Sequence, residues 1–307
     1  MPLNLHLLRL FFEVANHGSF SRAADALFIS QSATSKGVRE LENQLGLPLI
    51  DRSPKARSER GLRLTPEGQA LYEHARGIFA LERAAVDDMQ ERLGLLRGSV
   101  TLGASTTVAA YWLPPYLAAF ARQFPHIDLH LNVGNTHRIS QGLLDCKVDL
   151  AVVEGAVELE GVESEYWRSD GLVIVAPNTA DLGNCRADAE RLSAHTWLLR
   201  EPGSGTREAA ERLLEEQGLK PDRCIELGSN EGIAHCVALG MGVALLPRVV
   251  VQDLLALGKL KTVATCDDQE FQRPLFRLRR ARRPLSPAAQ ALCQLLDDKD
   301  FAGRGAR

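Results

Sequence analysis

The 307-residue chain is predicted to be α/β overall: an N-terminal winged helix-turn-helix, a long linker helix, and a larger half in which strands and helices alternate. Three observations predict it. Residues 19–42, SFSRAADALFISQSATSKGVRELE, hold two short amphipathic helical patterns around a tight polar corner. Residues 66–93 keep a helical apolar spacing without interruption, and beyond residue 98 short apolar runs alternate with helical ones.

The first helix, residues 5–16, carries Leu7, Leu8, Leu10, Phe11, Val14 and Ala15 as an apolar stripe, and Gly18 ends it. Ser19 caps a second helix in which Ala23, Ala24 and Leu27 share a side, the alanines letting another helix approach closely. Phe28-Ile29-Ser30 makes the corner. Ser30 caps the third helix, where Ala33, Val38 and Leu41 are expected to face inward. Gln31, Ser32, Thr34, Ser35, Lys36 and Arg39 then project near its start, with Ser21 on the helix before, where side chains reach base edges or phosphates.

Such a pair is also what an ordinary helical hairpin with a solvated face looks like. The next segment decides for duplex DNA. Residues 46–51 and 61–65 read as short strands around a basic loop, and a basic hairpin beside a helix-turn-helix is a wing. Arg52, Lys55, Arg57 and Arg60 are set to lie along phosphates or enter a minor groove.

Thr65-Pro66-Glu67 opens the linker helix with a cap, a proline and an early carboxylate. Along it Tyr72, Phe79, Val86 and Leu93 recur every seventh residue, flanked by Leu71, Ile78 and Ala85. Packing within the monomer is one use of that seam. A helix this long after so small a domain has little to cover, so Leu71, Tyr72, Ile78, Phe79, Val86 and Leu93 are expected to join two chains. Gly94 and Gly98 around Leu95-Leu96-Arg97 read as a hinge.

Residues 99–103, 127–133 and 149–153 then read as strands, with helices near 109–123 and 136–146. A second set has strands at 171–175, 196–199, 224–227 and 242–246, helices at 206–217 and 231–239, and a late strand at 271–278. Two open-sheet units, with the chain crossing near 168–171 and 266–274, leave a cleft, and ligands of such sheets bind at the carboxyl ends of strands. Ser105, Thr106 and Thr107 stand between the first strand and its helix, and Gly203-Ser204-Gly205-Thr206-Arg207 repeats that placement in the second unit. Unpaired N–H groups and the positive helix end favour an anion there, and Arg207 adds a guanidinium. Either motif alone is ordinary helix capping; the two together favour a small, anionic ligand.

The net charge of −3 is segregated: residues 1–65 carry +3 and the rest −6, as a modular DNA binder requires. Hydrophobic residues at 45% and charged residues at 24% exclude a disordered chain. No apolar run approaches the roughly 20 residues of a bilayer span and no signal-peptide pattern opens the chain, so a cytoplasmic protein is expected. The six cysteines, Cys146, Cys185, Cys224, Cys236, Cys266 and Cys293, show no C-x-x-C pair, so reduced thiols and no metal are expected. No nucleophile elbow occurs, the Gly203–Thr206 run lacks the lysine and glycine spacing of an NTPase loop, and the histidines are dispersed. No catalytic residue and no cofactor are expected.

FFEVANHGSFSRAADALFISQSATSKGVRELENQLGLPLIDR followed by LRLTPEGQAL resembles the DNA-binding domain of a LysR-type transcriptional regulator, over the first 90 or so residues. GASTTVAAYWLPPYLAAF, NVGNT, DLAVVEG, REPGSGTRE and ELGSNEGIAHCVALGMGVALLP resemble the effector-binding domain of that family, closest to its regulators of carbon fixation and of sulfur or nitrogen assimilation. The resemblance implies a two-subdomain effector domain of the periplasmic-binding-protein type, a linker helix antiparallel to its copy, and a homodimer or homotetramer. Its implied partners are double-stranded promoter DNA, a small effector and RNA polymerase. It adds Asn135, Thr136, Glu154 and Ser229 to the effector site; Glu154 suits a ligand that also carries hydrogen-bond donors. Part of the family senses redox state, which singles out Cys224 and Cys236 here. The domains then run 1–65, 66–93 and 94–98 for winged helix, linker and hinge, and 99–302 for the effector domain, with subdomain I at about 99–167 and 268–302 and subdomain II at about 168–267. The alternatives are a solute-binding protein, which the absent export signal and the winged helix oppose, or an enzyme of the same fold, which would turn its ligand over.

Overall fold

A computed structural model describes residues 2–52, 62–92, 98–155, 157–180, 189–263, 271–281 and 283–298. The chain divides into two compact units, Met1–Val86 and Asp87–Arg307.

In the first unit α1 (Leu5–His17) starts where the Asn4 side chain accepts from the His6 and Leu7 amides, and it closes on Gly18 at φ 58°. Ser19 caps α2 (Phe20–Ala26) and Ser30 caps α3 (Gln31–Leu45). Their apolar faces meet in one core of Leu8, Phe11, Val14, Ala23, Val38, Leu41, Leu49 and Ile50. Gly37 is where α3 comes against α1: a Cβ there would stand 2.2 Å from Leu10 Cδ1, so any larger residue makes that leucine side chain shift. The expected wing strands reduce to one antiparallel bridge, Ile50 with Leu64, flanked by Asp51 N–H to Arg63 O at 2.9 Å and Thr65 N–H to Leu49 O at 3.0 Å. Lys55, Arg57 and Arg60 lie outside the described residues.

Helix α4 (Pro66–Arg92) begins as expected, Thr65 Oγ1 accepting from the Gly68 amide at 2.9 Å. Its seam corrects the sequence expectation. Phe79 is 6% exposed, its ring 5.1 Å from Phe12 and under the Arg9 guanidinium at 4.3 Å. Tyr72 stacks on Phe12 at 5.5 Å, and Leu71 and Ile78 pack against the same core. The winged domain does present a surface for the first half of α4, supplied by the outer face of α1. Farther along, Leu81, Val86 and Met89 are about half exposed. Leu93 and residues 94–97 of the expected hinge lie outside the described residues, and Gly98 opens the first strand.

The second unit is built on β1 (Gly98–Ser105), β2 (Ile127–Gly134), β3 (Leu150–Glu154), β4 (Val162–Pro177), β5 (Trp197–Leu199), β6 (Cys224–Glu226), β7 (Ala244–Pro247), β8 (Leu260–Val263) and β9 (Phe271–Arg280). The main sheet runs β2-β1-β3-β9-β4-β7, with β8 also on β4. β1 is parallel to both β2 and β3, as alternation of strand and helix predicts. β4 and β9 pair antiparallel from Val162 with Arg280 to Leu172 with Phe271, shifting register between Tyr166 and Arg168. The expected crossing at 168–171 is therefore the interior of a 16-residue strand. Two long hydrogen-bonded strands, rather than loose connections, carry the chain from one half of this unit to the other. β5 and β6 form a small parallel pair that meets β7 through the Trp197–Val243 bridge.

The helix expected over 109–123 is two segments: a π-helical turn, Val108–Trp112, and α5 (Pro114–Gln123), which restarts at paired prolines. The other helices are α6 (Thr136–Leu144), α7 (Ala189–Ser193), α8 (Gly205–Glu216), α9 (Asn230–Ala238), α10 (Arg248–Ala256) and α11 (Pro287–Asp297). One core gathers Leu102, Tyr116, Phe120, Trp167, Leu292 and Leu296; another gathers Ile174, Trp197, Leu213, Val243 and Leu245. Among the described residues no helix is long and apolar enough to cross a membrane.

Candidate nucleic-acid interface and ligand site

At the start of α3, Ser30 Oγ accepts from the Ala33 amide at 3.2 Å and lies 3.0 Å from Ser32 Oγ. Gln31, Ser32, Lys36 and Arg39 are exposed, as is Ser21 on α2, and Ser35 is half-buried. Two expectations are reversed. Thr34 is fully buried and its hydroxyl donates to Ser30 O at 3.1 Å, whereas Ala33 faces solvent. Positions 34, 38 and 41 share one helical face, and residue 33 is about 100° away from it. Thr34 accordingly lies on the buried face with Val38 and Leu41, its hydroxyl satisfied one turn back.

Arg52 also has a partner that its sequence context did not suggest. Its Nη2 donates to Glu42 Oε2 at 2.7 Å, while the nearly buried Glu42 accepts the Leu49 and Ile50 amides on Oε1 at 2.9 and 3.3 Å. One carboxylate thus ties α3 to the base of the wing. The Arg52 side chain remains 46% exposed.

In the second unit the carboxyl ends of β1, β3 and β5 meet the starts of α8 and α9. Ser105 is fully buried and its Oγ has no hydrogen-bond partner among the described residues. Thr106 Oγ1 accepts from Arg200 Nη1 at 3.3 Å, and Thr107 Oγ1 accepts from Asn230 Nδ2 at 2.9 Å. Thr206, in the first turn of α8, accepts from Arg273 Nη1 at 2.7 Å and from Asn230 Nδ2 at 3.3 Å. Ser204 is the N-cap of α8 but makes no side-chain cap bond. Gly205 is required by close approach, since a Cβ there would lie 2.7 Å from both the Cβ and the carbonyl oxygen of Glu154.

Behind these groups Arg273, 2% exposed, donates through Nε and Nη2 to Asp170 Oδ2 at 3.1 and 2.7 Å, and its Nη2 stands 3.2 Å from Glu154 Oε1. Thr136 donates to the Glu154 carbonyl at 3.0 Å. Burial pushes the Asp170 carboxyl above its ordinary range; Arg273 opposes that shift and Glu154 reinforces it. Glu208 is raised likewise, first by burial and then by Glu211 and Glu154.

Arg207 does not join the site. Its Nε donates to Glu211 at 2.6 Å and its Nη1 to Arg200 O at 2.7 Å and Glu226 at 3.2 Å, because position 207 lies one turn before Glu211 on the outer face of α8. The guanidinium that does join is Arg200, 2% exposed at the carboxyl end of β5 and held by Glu201 through bonds of 2.8 and 3.0 Å. Burial, the largest single influence, raises the Glu201 carboxyl, and the Arg200 hydrogen bond and charge, the residue's own backbone amide and Asn135 together outweigh it, leaving Glu201 below its usual range. Asn135 caps α6 and donates to Glu201 at 3.3 Å. Ser229 caps α9 through the Gly232 amide and donates to Glu231, which is ordinary capping. Sequence reasoning thus missed Arg200, Asn230, Asp170 and Arg273. A signal existed for the first two, which follow a strand and open a helix. None existed for Asp170 and Arg273, which meet only through the β4–β9 pairing.

Cys224 is exposed and Cys236 half-buried, both as free thiols, and no group of potential metal ligands occurs among the described residues.

The family model described as "LysR substrate binding domain" matches residues 93–300, and "Bacterial regulatory helix-turn-helix protein, lysR family" matches residues 5–69. The HTH-type transcriptional regulator YeiE of Escherichia coli K12 is 36% identical over 97% of this chain and 98% of its own length. The HTH-type transcriptional regulator CbbR of Rhodospirillum rubrum is 32% identical over 96% of each chain. Among solved structures, the CcmR regulatory domain of Synechocystis PCC6803, in complex with 2-PG, aligns with a TM-score of 0.60 at 27% identity, covering 66% of this chain and 96% of that one.

Proposed function

The chain belongs to the LysR family of transcriptional regulators, and from that premise we propose that a small anion, held between the Ser105–Thr107 turn and the start of α8, sets how it engages its promoter. Ser105 carries this reading: a fully buried hydroxyl without a partner among the described residues, one residue from the Thr106 that holds Arg200, while Ser204 at the α8 start makes no side-chain cap bond. An anion there gains free helix N–H groups, a hydroxyl and a buried guanidinium in one place. Likeness to a regulatory domain solved with the small molecule 2-PG agrees with a ligand site in this half. Glu154 stands 3.2 Å from the Arg273 guanidinium, yet its Oε1, like Asp170 Oδ1 and Asn230 Oδ1, is buried without a hydrogen-bond partner among the described residues, which suits an anion that also carries hydrogen-bond donors.

The DNA half acts through Gln31 and Ser32 at base edges, with Lys36 and Arg39 toward phosphates. Leu81, Val86 and Met89 on the free stretch of α4 join two copies, giving a homodimer or a homotetramer in the cytoplasm, with RNA polymerase as the further partner. The anion works by favouring one arrangement of the β4–β9 strands and the helices around the site over another, so its differential affinity is the regulatory signal.

Calorimetry of the full-length chain with sulfite, sulfate, phosphate and small carboxylates tests the reading. At least one binds, Ser105→Ala weakens it by ~0.5–1.5 kcal/mol, and Arg200→Gln by ~1.5–3 kcal/mol. Variants that bind every such anion as the wild type does would remove the site.

A further inference from the structure

We propose that Phe28, the corner residue of the helix-turn-helix, is an apolar DNA contact that reads a thymine methyl beside the bases met by Gln31 and Ser32. The proposal rests on the promoter-binding reading above and adds to it a specificity-determining residue.

Two features of Phe28 are unfavourable for the folded domain by itself. Its φ is 55°, in the left-handed region that bulky side chains avoid; among the described residues Cys146 is the only other non-glycine with a positive φ. Its side chain is 95% exposed, more than any other large hydrophobic residue described. The turn does not need a phenyl ring. Its backbone is already satisfied, Phe28 N–H donating to Asp25 O at 3.2 Å and Ile29 N–H to Ala24 O at 3.1 Å. Asparagine or glycine makes the same left-handed corner with less strain and no exposed apolar area.

Position supplies the reason for a ring. Phe28 lies two residues before the Ser30 cap of α3, three before Gln31 and four before Ser32, so its exposed ring is tethered within a few residues of the end of α3 that presents exposed hydrogen-bonding groups. In a major groove the apolar feature available beside such groups is the C5-methyl of thymine, which apolar side chains recognise. Adjacency to this end of α3 favours duplex DNA over a protein partner. An uncharged contact releases no counterions, so its share of the affinity does not vary with salt.

The test uses the full-length chain and a duplex selected in vitro by the wild type from a random pool. Phe28→Asn retains the left-handed corner; its melting temperature equals or exceeds the wild type's, its affinity for the selected duplex falls about tenfold, and its salt slope is unchanged. Phe28→Tyr keeps most of the affinity. Replacing the thymines of the duplex by deoxyuridine weakens the wild type and leaves Phe28→Asn unaffected. Equal affinity of wild type and Phe28→Asn at every salt concentration overturns the proposal, including where transcription is lost, which would assign the ring to a protein partner. A wild type indifferent to deoxyuridine overturns it even if Phe28→Asn folds poorly. Failure of the wild type to prefer the selected duplex over a scrambled one would instead undo the promoter-binding reading.

Discussion

Replacing Phe79 by alanine separates the two uses that the α4 seam could have. The ring is 6% exposed, 5.1 Å from Phe12 and 4.3 Å below the Arg9 guanidinium, within the core that Phe11, Val14 and Leu41 share. Truncating a buried phenylalanine costs about 3–5 kcal/mol through lost transfer energy and the cavity left behind. In a unit the size of Met1–Val86, each kcal/mol lowers Tm by about 4–8 °C, so the first unit of Phe79→Ala melts at least ~12 °C earlier. Trp112, Trp167 and Trp197 all belong to the second unit, so tryptophan fluorescence follows that unit while far-UV circular dichroism follows both. The predicted result is an early dichroism transition, an unmoved fluorescence midpoint, and the same shift at about 1 and about 50 µM protein. A shift below ~1 kcal/mol, or one that vanishes at high protein concentration, would return Phe79 to the dimer seam and refute the intradomain assignment.

Glu42→Ala strands the Leu49 and Ile50 amides, at ~1–3 kcal/mol each, and loosens the wing, so stability and DNA affinity fall together. Arg52→Ala costs less because its side chain is 46% exposed, and a double-mutant cycle should find the two changes coupled rather than additive. Asp170 has its folded pKa above its unfolded one, so the stability it contributes is full below the ordinary aspartate range and is lost as pH rises through the raised value. Urea midpoints should therefore show the wild type losing ground to Asp170→Asn as pH rises from about 4 to about 7; the opposite trend would mean that Arg273 outweighs burial. Gly205→Ala drives a methyl into the Glu154 backbone, so the fluorescence midpoint should drop by ~1–3 kcal/mol and anion binding should be lost.

The helix-turn-helix was legible because its signals are local: the Ser19 and Ser30 caps, Gly18, and apolar spacing within a single turn or two, whereas the Asn4 cap and the Gly46 end of α3 emerged only in the fold. Thr34 and Ala33 were misplaced by about one residue of helical phase, which hydroxyl chemistry does not reveal. The α4 seam showed its period but not its partner, since a seven-residue repeat is the same whether the facing surface is a second chain or α1. In the effector half the two hydroxyl turns were legible as strand ends entering helices. Arg207 was preferred to Arg200 because the helix start was visible, whereas the outward pairing with Glu211 depends on which face of α8 packs. Asp170 and Arg273 stand about a hundred residues apart, joined by the antiparallel pairing of β4 and β9 that no local pattern announces. Phe28 was legible as a corner residue, but its left-handed backbone and exposure are properties of the folded turn.

The most direct measurement is the affinity of the full-length chain for its in-vitro-selected duplex, with and without a saturating anion found by calorimetry, at constant ionic strength so that screening of phosphate contacts cannot imitate regulation. The wild type should shift its DNA affinity or the length of duplex it protects by an amount within the usual allosteric range of about 5–150-fold. Ser105→Ala and Arg200→Gln should bind the duplex as the wild type does without anion and should show little or no shift at that same anion concentration. An undiminished anion response in both variants, or a wild type whose DNA binding no small anion alters, would contradict the account.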